Sequence, residues 1–435
     1  MAVNVAIRMY NVGFGDSFLV TVRRDSAVWR MLVDCGVHSH GRVKVNGVSR
    51  PIGKIVDRII DDLRAEAAPG EPPHLDVVVA THHHQDHISG FAEEAWAEVD
   101  VAEVWVPFVE DPGDPDAVRL RSGLDDAANR LRSLIDSTSA RAVANESKDD
   151  LRLALAFAVN SSRNAIATDR LLGRGNRRFR RPPSDVLVRY LPDTEAEANT
   201  IATPIPGVTA RILGPSRDPA KLKRMDPPAS VAWLQLADEH RRELDAGGPL
   251  FDPMYHVPPD DVSDRLSADA IKARNSMRLA ALADDADELL AASSLLERSV
   301  NNTSVFFVLD VSGTRFLFVG DSQQGAWEHV LDDQRSRELV SGVAFYKIGH
   351  HGSHNATPKS FVHEVLGDDA TAMLPWGLVK AWKDSIPKHE ILEALEAHHT
   401  TVVRADDPQS APPSDRAVLT IGPDDLWSQL EFTVA

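Results

Sequence analysis

The chain has 435 residues, 43% hydrophobic and 26% charged, with a formal net charge of −18. That length suits one large core with elaborations, and the acidity opposes a broad, nonspecific hold on nucleic acid or anionic lipid, which needs a cationic surface. The single cysteine, Cys35, excludes an intramolecular disulfide and a thiolate-rich zinc cage, and no stretch approaches the roughly 18 consecutive apolar residues of a membrane-spanning helix.

In chain order, Asn4 to Met9 reads as an alternating strand where a secretion signal would show a basic segment and an apolar run. The expectation is a cytoplasmic protein without membrane contact. Phe18 to Val22 and Trp29 to Val33 read as further strands, with Cys35 a small buried side chain at a strand end. A helix is expected over Gly53 to Ala67, where Ile55, Ile59, Ile60 and Leu63 share one face. Asp76 to Thr81 is a continuous apolar run of the kind buried on both faces of a sheet, and Val101 to Pro107 resembles another strand. From about Glu110 to Val300 the character shifts to alanine- and arginine-rich helical stretches, at Asp125 to Ile135, Leu151 to Val159 and Asp284 to Leu296, punctuated by paired prolines. Strands at Asp185 to Tyr190 and Val208 to Leu213 interrupt it. Ser304 to Leu309 and Arg315 to Val319 form a hairpin about Ser312-Gly313. Further strands are expected at Val343 to Ile348, Thr401 to Arg404 and Ala417 to Ile421, with a helix at Lys388 to His398.

The segment Thr81-His82-His83-His84-Gln85-Asp86-His87 carries the chemistry. His82 and His84 lie two apart after an extended strand, so both imidazoles can project toward one ion. Asp86 and His87 follow in the turn and can reach a second. Imidazole and carboxylate donors suit zinc, manganese or iron, and two neighbouring metals would lower the pKa of a shared water, making a metal-bound hydroxide the expected nucleophile. A tag-like or core histidine run is the bland alternative, but a tag would sit at a terminus. Phe316 to Asp321 and Tyr346 to His354 place a carboxylate and histidines where later strands end.

These residues resemble the metallo-β-lactamase superfamily, and within it the hydrolase domain attached to bacterial DNA-uptake channel proteins. The matching elements are Asn11 to Ser17, Leu32 to Gly36, His82 to His87, Asn301 to Ser304, Val319 to Asp321 and His350 to Ser353. The resemblance implies an α/β fold, a four-layer αββα sandwich with helical insertions as a cap: residues 1–109 and 301–435 as the two halves of the core, 110–300 as insertions with core strands near 185–215. It implies His82 and His84 on one metal, Asp86, His87 and His350 on the other, and Asp321 bridging. His351 competes for the position of His350. Asp34 would orient the metal-binding loop from behind, and Asn302 belongs to a stretch standing where many members carry one more histidine, which would loosen the first site or favour manganese over zinc. Asp86 could also aim the hydroxide, and His351 or His354 would contact substrate or protonate the leaving group.

The leading expectation is a metal-dependent hydrolase with two divalent ions, zinc or manganese, acting as a phosphodiesterase or nuclease. The rivals are a hydrolase of a small ester, lactone, thioester or amide, and a non-catalytic metal-binding regulatory component. For a nucleic-acid substrate, Arg177, Arg178, Arg180 and Arg181 would contact phosphates. Phe179 among them would stack on a base or anchor the loop.

Overall fold

Strand alternation and short turns build the first sheet from the outset. In the computed structural model, which describes residues 2–38, 44–45, 48–49, 51–122, 160, 164–180, 186–227, 233, 299–379 and 385–435, β1 (Val3–Tyr10), β2 (Ser17–Arg24) and β3 (Ala27–Cys35) form an antiparallel meander. β4 (Lys44–Val45) and β5 (Val48–Ser49) pair only with each other. Helix α1 (Ile52–Ala65) buries Ile55, Val56, Ile59, Ile60 and Leu63, the stripe that a period of 3.6 residues produces. It returns the chain so that β6 (His74–Val79) lies parallel to β3. The short helix α2 (Gln85–Ile88) follows, then β7 (Asp100–Pro107), helix α3 (Ala165–Leu171) and β8 (Leu187–Leu191), with β7 and β8 extending the parallel part.

The second sheet begins at β9 (Thr200–Ala202) and β10 (Val208–Gly214), and helix α4 (Pro219–Leu222) follows. It continues with β11 (Phe306–Val311) and β12 (Thr314–Phe318), which are joined at the turn expected about Ser312-Gly313. After α5 (Gln324–Asp332) and α6 (Gln334–Val340) come β13 (Phe345–Lys347), β14 (Thr371–Leu374), α7 (His389–Ala397) and β15 (Thr401–Arg404). β12 to β15 run parallel, β9 to β12 antiparallel. The chain then rejoins the first sheet through β16 (Val418–Ile421) and β17 (Trp427–Val434), giving the orders β16-β17-β1-β2-β3-β6-β7-β8 and β15-β14-β13-β12-β11-β10-β9.

The two sheets face each other across an aromatic core. Phe307 and Phe318 stack at 5.1 Å, Phe318 meets Phe18 of the opposite sheet edge-on at 6.3 Å, and Phe316 meets Phe432 at 5.1 Å. A second core lies between the first sheet and α1 with α3. On the far side Trp327 of α5 packs edge-on against Phe306. Helices therefore cover both outer faces, the four-layer arrangement expected.

The chain divides into two units, the first comprising Met1–Asp125, Asn160–Trp233 and Arg298–Ala435. The second, Asp126–Val159 and Leu234–Glu297, lies outside the described residues. So do the three expected helical stretches, the larger part of the expected cap, and Arg181.

Candidate metal centre

Parallel strands present their C-terminal ends at one edge, where an open α/β sheet binds ligands. Here both sheets do so toward the same place. β3 carries Asp34 as its penultimate residue, at a φ of +57°, β6 runs into Thr81 and the histidine segment, β12 into Gly320-Asp321 and β13 into His350-His351. Gly320 has a φ of +54°, and a Cβ there would lie 2.8 Å from that of Ser304 and 2.9 Å from that of Thr81. Glycine thus lets the strand end turn beside two hydroxyl-bearing residues of the site.

His82 Nε2 and His84 Nδ1 stand 3.0 Å apart. The other nitrogen of His82, Nδ1, faces the hydroxyls of Thr81 and Ser304, both at 3.2 Å. His87, in α2, points Nδ1 at Asp34 Oδ2 at 2.8 Å and Nε2 at Asp321 Oδ2 at 3.1 Å. This is the carboxylate–imidazole pairing that orients a metal-binding histidine from behind. Asp34 also accepts from the Thr81 amide and hydroxyl, each at 2.7 Å. His351 donates from Nδ1 to the Pro375 carbonyl at 2.8 Å and turns Nε2 toward Asp86 Oδ2 at 3.4 Å and Asp321 Oδ2 at 3.8 Å. His350 Nε2 is 4.0 Å from Asp321 Oδ2 and 3.3 Å from the Asn301 amide nitrogen.

Burial holds His82 well below the ordinary histidine range and takes His84 to about 3 and His350 to about 4. These imidazoles are neutral, as ligands must be. Burial would raise Asp86 and Asp321, but His87 and the cations around them keep both well below the usual carboxylate value. Burial would equally depress His87, yet the carboxylates of Asp321, Asp16, Asp34 and Asp86 outweigh it. Such a surplus of negative charge invites a cation. Asp86 Oδ1, Asp321 Oδ2 and His87 Nε2 are buried without a hydrogen-bond partner, an arrangement that is costly unless something else engages them. The donors are imidazoles and carboxylates, which fit zinc or manganese.

An extended backbone beyond β13 would present His350 first and turn His351 to the other side. β13 instead ends at Lys347, and both histidines adopt left-handed conformations, with φ of 43° and 52°. The backbone turn makes His351 the more buried of the two, and His351 joins Asp16, His87 and Asp321 in a group whose donor atoms lie within 4.8 Å of one another. His354 stands 3.3 Å from Asp226 Oδ1. The Asn302 side chain is a brace, donating to the carbonyls of Leu222 and Arg224 and accepting from the Gln323 amide. Two site residues had no role in the sequence reading: Asp16, within the Asn11 to Ser17 match, and Lys347.

The arginine run lies elsewhere. Arg180 hydrogen-bonds through its amide to Val99 and pairs with Asp100, at the start of β7. The histidines follow the opposite end of the neighbouring β6, about 20 Å away at strand rise. Arg177 pairs with Glu94, and Arg178 donates to the Gly175 carbonyl. Phe179, 4% exposed, packs with Phe91 and Trp96, so of its two expected roles it fills the anchoring one.

The family model of the Metallo-beta-lactamase superfamily matches residues 10–138, the span holding Asp16, Asp34 and the His82 to His87 segment. Two facing sheets with helices outside them are consistent with that fold. The superfamily is generally metal-dependent and hydrolytic. No curated protein matches the chain.

Proposed function

We propose that this chain is a metal-dependent hydrolase of phosphodiesters that uses two divalent ions, zinc or manganese. The observation that carries the reading is the convergence of His82, His84, Asp86, His87, Asp321 and His351 in one buried cluster, in which Asp86 Oδ1, Asp321 Oδ2 and His87 Nε2 have no hydrogen-bond partner. His82 and His84 would hold one ion, and Asp86, His87 and His351 the other, with Asp321 between them. Ions so held polarise the scissile ester and bring the pKa of water toward neutrality. Asp34 fixes the tautomer and aim of His87. Asp86 offers Oδ1 to accept a proton or hydrogen bond from the attacking water, and His354, steadied by Asp226, is the candidate proton donor to the leaving group.

Paired ions suit in-line displacement at phosphorus, and the motif likeness to the DNA-uptake branch supports the same substrate class. A second reading, a small ester, lactone, thioester or amide, is favoured by the net charge of −18 and by arginines already engaged with acidic and carbonyl partners. Elemental analysis and turnover of bis(p-nitrophenyl) phosphate against a lactone panel separate them. One to two ions per chain are expected, His82→Ala with His84→Ala emptying one site and Asp321→Ala weakening both. A chain that takes up neither zinc nor manganese sinks the proposal, and one that binds metal but turns over nothing points to a regulatory role.

A further inference from the structure

Lys347, the last residue of β13, is 2% exposed and brings its ammonium into the middle of the cluster. Nζ lies 2.5 Å from Asp16 Oδ2 and 3.4 Å from Asp321 Oδ1, and donates to the Gly320 carbonyl at 2.9 Å. Burying an ammonium is unfavourable unless it is fully paired, and an apolar side chain would fill a strand end as well. Packing alone does not account for it. Asp16 is 1% exposed and fixed through its backbone, its amide donating to the Asp86 carbonyl at 2.9 Å and its carbonyl accepting from the Gly36 amide at 3.0 Å. Its side chain stands among His87, Asp321 and His351 at ligand spacing. By position it is one more carboxylate within reach of a cation.

We infer that Lys347 is a positioning residue that withholds Asp16 from the ligand set and, together with the His350 amide at 3.0 Å, holds Asp321 by Oδ1, so that Asp321 turns Oδ2 toward the ring nitrogens of His87, His350 and His351. The inference rests on the reading of this cluster as a metal centre. An ion held by one carboxylate fewer, beside a fixed positive charge, has less of its own charge neutralised by the protein and more left to act on substrate.

The sign of the effect separates this role from space filling. Lys347→Met keeps the volume and removes the charge, so the ion should bind about tenfold tighter or more by the Coulomb term. Loss of a merely structural side chain would weaken binding. Asp16→Asn leaves the ammonium with Asp321 as its remaining carboxylate partner and should weaken binding about tenfold by the same term. The double variant restores the charge balance and should return to within about threefold of the parent. It also leaves no unpaired buried charge, so the comparison with Asp16→Asn stands even if Lys347→Met does not fold.

The measurement is calorimetric titration of the metal-free full chain with Mn2+, alongside the cobalt(II) visible spectrum. That spectrum should change in Lys347→Met, as Asp16 joins the ligands, and not in the double variant. Weaker or unchanged binding in folded Lys347→Met, or a double variant as weak as Asp16→Asn, overturns the inference. A parent chain that binds no ion overturns the metal-centre reading and this inference together, whereas normal parent binding without the expected pattern removes the inference alone.

Discussion

Asp34 occupies a backbone conformation that costs a non-glycine residue about 1–3 kcal/mol, and both of its oxygens are used: one for the Thr81 amide, the other for the Thr81 hydroxyl and His87. An amide in its place must aim an NH2 at one of those donors. Asp34→Asn should therefore lower metal affinity by about 10–100-fold, as loss of an orienting partner does, while the far-ultraviolet dichroism stays the same. Affinity equal to the parent's would remove Asp34 from the site. The His82 to His87 segment was legible because its spacing alone brings the side chains together. Asp16 and Lys347 were not, since a lysine closing a strand reads as a solvated end, and its partner arrives from the other sheet. The choice between His350 and His351 depended on two left-handed residues that nothing in their neighbours announces.

At the scale of elements, the site depends on how closely α2 can approach the end of β3. A Cβ on Gly36 would meet the carbonyl carbon of Asp86, the oxygen of Gln85 and the nitrogen of His87, all at 2.5 Å. These are backbone atoms of the short helix that carries Asp86 and His87, two of the proposed ligands. Gly36→Ala should push that helix away, costing about 1–3 kcal/mol as overpacking does and selectively weakening the ion shared by Asp86 and His87. Thermal unfolding of the metal-free chain and metal titration together check it, and unchanged values in both would show that the contact can relax. Most strands were readable because their side chains alternate in type, as in β1, or because β-branched and aromatic runs mark a buried strand, as in β2 and β6. The sequence reading did not include β14 and β17. β14 has four residues, all buried, and so shows no period. β17 does alternate, but its outward half, Gln429, Glu431 and Thr433, together with the acidic turn before it, resembles a loop.

For the whole molecule, the charge of −18 and the placement of the arginines bear on substrate. Arg177 and Arg180 already have acidic partners and Arg178 a carbonyl, and Arg180 sits at the end of the sheet away from the cluster. Replacing all three with alanine should leave hydrolysis of any substrate, and its dependence on salt, unaltered, because exposed ion pairs contribute only about 0–1 kcal/mol to stability. A selective fall in nucleic-acid cleavage, with a shallower salt slope, would instead restore a phosphate-contacting role. The register of the first sheet has a consequence for synthesis. β1 pairs along its full length with β17, Val3 against Val434, so this strand leaves the ribosome well ahead of a partner about 430 residues behind it. Until then β1 offers an open edge that any extended chain can join, and contacts so distant in sequence form slowly. The stage at which this protein is most exposed to misassembly is therefore its own translation, when the half of the site carried by residues 16 to 87 can already be in place without the strand that closes the sheet.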